Sequence, residues 1–151
     1  MNCLIRNAEN ADAPAISRLI IGTLRESNAQ DYSSDIIAQV EHSFSPQAIL
    51  HLLAQRRVLV ATVDEHVVAT ASLDRDTVRS VFVDPRYQGT GIGRQLMASI
   101  ELLAAKGGFE LLRVPSSITA QGFYAGLGFI KLRDEFHGDE RTIVMQKMLD
   151  R

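Results

Sequence analysis

The sequence predicts an α/β (α+β) fold in which helices flank a mostly antiparallel sheet. Residues 58–83 hold three β-branched segments separated by short polar turns, which is the pattern of a strand meander. The third segment runs into a glycine-dense turn and then an amphipathic helix. With 151 residues and 46% hydrophobic side chains, the chain is expected to form one domain, residues 1–151, around one core.

The N-terminal third predicts a short strand at residues 4–6 followed by three helices. Pro14 stands in the first turn of a helix that runs to about Glu26, where its missing N–H does no harm. A second helix begins near Ser33, and Ser45 and Pro46 open a third. The third helix is predicted to turn four side chains inward: Ile49, Leu50, Leu52 and Leu53.

The remaining elements follow from changes of hydrophobic period and from glycine and proline breaks. The predicted strands are residues 58–63, 67–73, 77–83, 109–114, 129–132 and 142–148. Gly107 ends the amphipathic helix, and Pro115 is expected to break the strand at residues 109–114. A short helix is predicted next, at residues 119–127.

Composition excludes several classes of function. Sixteen basic and eighteen acidic side chains leave a net charge of −2 with no basic run, so we expect no nucleic-acid partner. The chain has no apolar stretch near the roughly 20 residues that span a bilayer, so we expect no membrane partner. One cysteine and no signal-peptide pattern predict a cytoplasmic protein. The four histidines lack metal-ligand spacing, so we expect no metal.

The glycine turn, residues 88–94, is the most informative segment. A strand delivers the chain to Gly89, Gly91 and Gly93 at the start of a helix, where uncovered main-chain N–H groups and the helix dipole favour an anion such as a diphosphate. The plainer interpretation is a tight connection whose glycines serve only positive φ angles. A P-loop would need lysine after Gly93, and a Rossmann fingerprint would need another glycine spacing.

The turn resembles the pyrophosphate loop of the GCN5-related N-acetyltransferase (GNAT) family, with the residues Gln88-Gly89-Thr90-Gly91-Ile92-Gly93. A second block at residues 120–129 is similar to the family's Phe-Tyr, two residues, Leu-Gly-Phe signature. The resemblance implies a sheet of six to seven strands with a splayed parallel central pair. It also implies acetyl-CoA as co-substrate and an unidentified amine of a small molecule or protein as acceptor. Relatives often dimerise, which leaves a homodimer open.

The resemblance assigns the cofactor site residue by residue. The main chain of the strand before the turn is expected to hold the pantetheine arm, and the amides of the turn to hold the diphosphate. Ser116, Ser117 and Thr119 occupy a stretch where relatives often carry asparagine, so they either contact the cofactor or cap the next helix. The full predicted cofactor set is Val81, Phe82, Val83, Gln88, Gly89, Thr90, Gly91, Ile92, Gly93, Arg94, Ser116, Ser117, Thr119, Phe123 and Tyr124.

Tyr124 matches the family tyrosine and is the predicted catalytic acid, because a phenol pKa near 10 suits proton donation to a thiolate. Its plainer role is a core residue with a satisfied hydroxyl. The general base stays open among Glu26, Asp31, Asp74 and Asp76. Without a base the chain would be a non-catalytic acetyl-CoA-binding module, the alternative function. The slight negative charge mildly favours a cationic acceptor.

Overall fold

The computed structural model describes residues 3–149, and within them the chain forms seven strands and five α-helices. The strands are β1 (Cys3–Asn7), β2 (Arg57–Val63), β3 (His66–Asp74), β4 (Thr77–Val83), β5 (Leu111–Ser116), β6 (Ile130–His137) and β7 (Glu140–Met148). The helices are α1 (Ala13–Glu26), α2 (Ser34–His42), α3 (Pro46–Gln55), α4 (Ile92–Lys106) and α5 (Gln121–Gly126). This order agrees with the order expected from the sequence.

All seven strands form one sheet in the order β1-β2-β3-β4-β5-β7-β6. Every neighbouring pair is antiparallel except β4 and β5, which run parallel at the centre. The predicted mixed, mostly antiparallel sheet with a central parallel pair is therefore confirmed.

The sheet is covered on both faces because alternate side chains of its strands are apolar on each side. Leu59 and Ala61 of β2 join the cluster under α4, where Leu96 and Ile100 are fully buried. Val60, between them, faces the opposite side and packs with α1 and α3. Ser33 and Ser45 accept hydrogen bonds from the amides of Ile36 and Ala48, so they cap α2 and α3 as the sequence indicates.

Pro115 does not end β5, which corrects the expectation of a break at that residue. The Arg113 amide donates to the Asp76 carbonyl, toward β4. N–H groups two residues apart point to the same side of a strand, so the Pro115 nitrogen also faces the β4 side. β4 is no longer paired with β5 at this level, so the missing N–H of Pro115 removes no hydrogen bond between strands. On the other side Pro115 stays in register with Val144 of β7.

Two further expectations were wrong in detail. β6 extends to His137 instead of ending near residue 132, because its polar side chains form ion pairs along an exposed strand, such as Lys131 with Asp134 at 3.1 Å. An apolar pattern cannot reveal such a strand. Leu50 was expected to face inward but is 42% exposed, since it lies on the outer side of α3 next to the buried Ile49.

Within residues 3–149, none of the helices has the length and apolar character needed to cross a membrane.

Candidate active site

The site begins where β4 and β5 separate. Thr77 and Arg113 are the registered pair of these parallel strands, and the two strands share no further register position in residues 3–149. β4 also bulges against β3 at Ser80, which has a φ of 55°. A bulge increases strand twist and bends the chain. The result is a fork between the two strands that opens into a cavity of about 1130 Å³.

Val81, Phe82 and Val83 line this fork, as expected for a strand that binds a ligand through its main chain. The side chain of Phe82 is already engaged on the α1 face, where its ring packs edge-on against Phe44 at 5.7 Å. Only the main chain of Phe82 is therefore suited to contact a cofactor.

The glycine turn lies at the end of β4 and opens onto the same cavity. Gly89 and Gly91 have φ angles of 78° and 90°, and a Cβ atom on either would meet no atom within 4 Å. The first hydrogen bond of α4 runs from the Gln95 amide to the Gly91 carbonyl. The amides of residues 91–94 therefore have no carbonyl partner within the helix. The turn therefore combines positive φ angles with free donors and open space.

Side chains hold the turn in place. Gln88 donates through Nε2 to the Val83 carbonyl at 3.1 Å and to Ser27 Oγ at 3.3 Å, which ties the turn to β4 and to the end of α1. Thr90 donates its hydroxyl to the Tyr87 carbonyl at 2.5 Å. Gln88 also lines the cavity, whereas Thr90, which was predicted to contact the cofactor, is not on the cavity wall and holds the turn.

The two arginines near the turn differ. Arg86 is paired with Asp84 at 3.0 Å, and this partner raises the pKa of Arg86 and lowers the pKa of Asp84. Arg94 lines the cavity at the start of α4. Arg94 is therefore the better placed of the two to meet an anion held by the turn.

Gly93 brings α4 close to α5. A Cβ atom at Gly93 would stand 3.2 Å from two ring atoms of Phe123 and 3.4 Å from Val83, so only glycine permits this approach without a shift. Phe123 is 37% exposed and lines the cavity. Ile92, also in the predicted cofactor set, is buried in the core and is not on the cavity wall, so its side chain anchors the helix.

Tyr124 lies beside Phe123, with its ring 5.2 Å from that of Phe123 and 5.5 Å from that of Phe129. Tyr124 is only 3% exposed, and its hydroxyl has no hydrogen-bond partner within residues 3–149. That part of the chain contains no fully buried side-chain polar atom without a partner, so the hydroxyl is not fully buried. It therefore opens onto the cavity that Tyr124 lines. Burial raises the pKa of the phenol above its usual value near 10.

The serine and threonine stretch after β5 is used mostly for structure. Ser116 is 1% exposed and donates to the Ser117 carbonyl, while Ser117 Oγ accepts from the Ala120 amide and so caps the turn before α5. The Thr119 hydroxyl donates to the Asp31 carboxylate at 2.7 Å. All three line the cavity, but each hydroxyl already has a protein partner.

Tyr32, between α1 and α2, is half-buried. Its hydroxyl accepts a hydrogen bond from the Ile118 amide at 2.6 Å and donates to the Arg141 carbonyl at 3.2 Å. Burial raises the pKa of this phenol. The segment between α1 and α2 is thereby fastened over the loop after β5, and together they wall the cavity. No sequence signal near Tyr32 indicates this contact, because its partners lie 86 and 109 residues away.

The four carboxylates considered as bases are not on the cavity wall. Asp31 is bonded to Thr119, Asp74 faces Arg79 at 3.8 Å, and Asp76 accepts from its neighbour Thr77. Glu26 is exposed.

The cavity wall instead contains Glu135, His137 and Glu140 from β6 and β7, which sequence reasoning missed because that region was expected to be a loop. Glu135 is paired with Arg133 at 2.8 Å. In residues 3–149 no basic group lies within ion-pair distance of Glu140.

In the described part of the chain, no three His, Cys, Asp or Glu side chains are grouped so as to hold a metal ion.

Residues 28–149 match the family model of the acetyltransferase (GNAT) domain. Three solved structures share the fold. A GCN5-related N-acetyltransferase from Rhodopseudomonas palustris, also described as a class-II aminotransferase, is 24% identical with a TM-score of 0.91 over 99% of this chain and 97% of that one. The PaiA N-acetyltransferase of Thermoplasma acidophilum, in complex with coenzyme A, is 18% identical with a TM-score of 0.83 over 98% and 99%. YncA from Salmonella typhimurium, with its cofactor acetyl-CoA, is 24% identical with a TM-score of 0.67 over 98% and 94%.

Proposed function

The chain belongs to the GCN5-related N-acetyltransferase family, and from that premise we propose that it transfers the acetyl group of acetyl-CoA to a primary amine of a small molecule or protein. The observation that carries the proposal is the fork between β4 and β5, which opens beside both the glycine turn and the Tyr124 hydroxyl. Two of the similar structures hold coenzyme A or acetyl-CoA, which supports the same co-substrate here.

In the proposed complex the diphosphate accepts hydrogen bonds from the amides of the glycine turn, with Arg94 beside it. The pantetheine arm enters the fork and bonds to the main chain of Val81 and Val83. The Val83 carbonyl already accepts a hydrogen bond from Gln88, so it would have to share that acceptor with the pantetheine. Polarising the thioester carbonyl needs an N–H donor, and we assign that role to the Val81 amide.

The reaction is a direct transfer with both substrates bound. The amine nitrogen attacks the thioester carbonyl carbon, the C–S bond breaks, and the thiolate takes a proton from Tyr124. The raised pKa keeps the phenol protonated at neutral pH, which is the form that a proton donor needs. It also makes this phenol a weaker acid than a solvent-exposed one.

The amine must lose a proton to react, and Glu140 is our candidate to accept it. Of the two carboxylates on the cavity wall, Glu135 is neutralised by Arg133, whereas Glu140 is not ion-paired within residues 3–149. Glu140 also lies near enough to Tyr32 to influence the pKa of that phenol, which places it beside the wall formed by the segment after α1.

A cytoplasmic location, the absence of nucleic-acid and membrane partners, and a homodimer remain predictions from the sequence and its resemblance.

The proposal is tested by mixing the protein with acetyl-CoA and a broad panel of amines while free thiol is measured. We expect thiol release that depends on an amine. Tyr124→Phe should lower kcat by about 100-fold or more, because general acid catalysis contributes factors of that order, with KM for acetyl-CoA little changed. Phe129→Leu is the control, since it disturbs the same aromatic cluster without removing a hydroxyl.

Coenzyme A binding without turnover on any amine, identical for the protein and Tyr124→Phe, would favour a non-catalytic binding module instead. Failure of coenzyme A to bind would remove both functions.

A further inference from the structure

The cavity is basic although the chain is slightly acidic. Five arginines and two glutamates line it, whereas the whole chain carries a net charge of −2. Arg94 stands at the glycine turn, and Arg133 is paired with Glu135. This leaves three arginines to explain: Arg56, Arg79 and Arg113.

These three residues line the cavity at the base of the fork. Val78 of β4 and Leu112 of β5 are buried under α4, so their neighbours Arg79 and Arg113 project from the opposite face of the sheet. Arg113 is registered with Thr77, two residues before Arg79, where the fork begins. Arg56, just after α3, reaches the same place and bonds to Ser80 Oγ at 3.2 Å.

Arg56 is half-buried without a carboxylate to neutralise it. Its guanidinium contacts the hydroxyls of Ser72 and Ser80, at 3.4 and 3.2 Å, and no carboxylate of residues 3–149 lies within ion-pair distance. Burial lowers the pKa of Arg56 and the like charge of Arg79 lowers it further, while the attraction of Asp74, beyond ion-pair distance, offsets part of this. A desolvated cation beside another cation is unfavourable unless an anion joins them.

The other two arginines are also weakly neutralised. Arg79 has Asp74 at 3.8 Å, and both side chains are more than two-fifths exposed, so this pair contributes little. Arg113 is exposed and has no ion pair within residues 3–149. Guanidinium groups offer several N–H donors in one plane, an arrangement that fits carboxylate and phosphate oxygens.

We propose that the acceptor amine carries an anionic group, a carboxylate or a phosphate, which binds to Arg56, Arg79 and Arg113 at the base of the fork. The inference rests on the proposed acetyl transfer. It reverses the mild preference for a cationic acceptor that the net charge suggests, because the charge that a substrate meets is that of the cavity wall.

The test uses matched pairs of small amines with the protein saturated in coenzyme A. Amino acids are paired with their carboxamides, and aminoalkyl phosphates with the corresponding aminoalcohols. Binding is measured by calorimetry, and kcat/KM with acetyl-CoA is measured where turnover occurs. The variants are Arg113→Gln, Arg113→Lys and Arg56→Gln. Arg57→Gln is the control, because Arg57 is an exposed neighbour of Arg56 that does not line the cavity.

We expect at least one anionic series to bind about 10- to 100-fold more tightly than its neutral counterparts, the range for a charge-assisted hydrogen bond. Arg113→Gln and Arg56→Gln should abolish most of that preference, Arg113→Lys should retain part of it, and Arg57→Gln should leave it unchanged. Preference for only the carboxylate or only the phosphate series would identify which anion is used. Arg113 is exposed, so its variants are expected to fold even where Arg56→Gln does not.

Equal binding of anionic and neutral members in the unmodified protein would overturn the inference, as would equal losses in Arg113→Gln and Arg57→Gln. Coenzyme A binding, measured separately on each variant, distinguishes this failure from failure of the proposed function. If coenzyme A binds and acetyl transfer proceeds without regard to the anionic group, the acetyltransferase stands and only the anion site is lost.

Discussion

Replacing Gly91 by alanine adds a methyl group above the glycine turn without bringing it within 4 Å of other protein atoms. The φ of 90° is unfavourable for alanine, which should cost roughly 1–2 kcal/mol of folding free energy. For a chain of this size that loss lowers Tm by about 2–8 °C. The protein should therefore remain folded at room temperature.

The effect on cofactor binding should be larger than the effect on folding. The methyl group would occupy the open space in front of the Gly91 and Ile92 amides, where we place the diphosphate. Losing a hydrogen bond to a charged group costs about 1.5–3 kcal/mol, so coenzyme A should bind about 10- to 100-fold more weakly. The assay is calorimetric titration of coenzyme A into each folded variant.

Gly108→Ala is the matched control. Gly108 has a φ of 88°, a Cβ atom there would also meet nothing within 4 Å, and the residue lies between α4 and β5, away from the cavity wall. Both variants should lose similar stability, but only Gly91→Ala should lose affinity. If the two variants bind coenzyme A equally well, the glycines of the turn serve only chain geometry, and the argument for an anion site fails.

Two further predictions concern the cavity walls. Tyr32→Phe should lower the free energy of unfolding by about 1–3 kcal/mol, measured by urea denaturation, because the Ile118 amide loses its acceptor. The control is Tyr87→Phe, which should change this free energy by much less because the Tyr87 hydroxyl makes no hydrogen bond within residues 3–149. Equal losses in the two variants would contradict the role of Tyr32. Glu140→Gln should reduce kcat by about 100-fold or more if the Glu140 carboxylate accepts the amine proton. The control Asp139→Asn, on the exposed hairpin turn, should have little effect on kcat. An unchanged kcat for Glu140→Gln would exclude Glu140 as the general base.

Sequence patterns predicted most accurately the elements whose side chains alternate between core and surface. β4 was expected at residues 77–83 and lies at Thr77–Val83, because its β-branched residues are bounded by an acidic turn and by Pro85. The glycine turn and α4 were also located correctly, since glycine and amphipathic period act locally.

The expectations failed where structure depends on distant partners. Pro115 continues a strand because β4 leaves its side of β5, and nothing near residue 115 records that separation. β6 is polar and is held by pairing with β7 and by ion pairs, so its period gives no apolar signal.

The candidate site divides in the same way. The turn and Tyr124 occur in short local motifs, so their places on the cavity wall could be anticipated. The three arginines at the base of the fork lie at positions 56, 79 and 113, and only the sheet order brings them together. Their combined charge is invisible in a net charge of −2.

The central claim is that the main-chain amides of the glycine turn bind the diphosphate of acetyl-CoA. Titrating coenzyme A into ¹⁵N-labelled protein, with amide chemical shifts followed by NMR, tests it residue by residue. We expect the largest changes at residues 89–94 and at Val81, saturating together with a single affinity. Saturable binding that leaves those amides unchanged, or no binding at millimolar coenzyme A, would contradict the account.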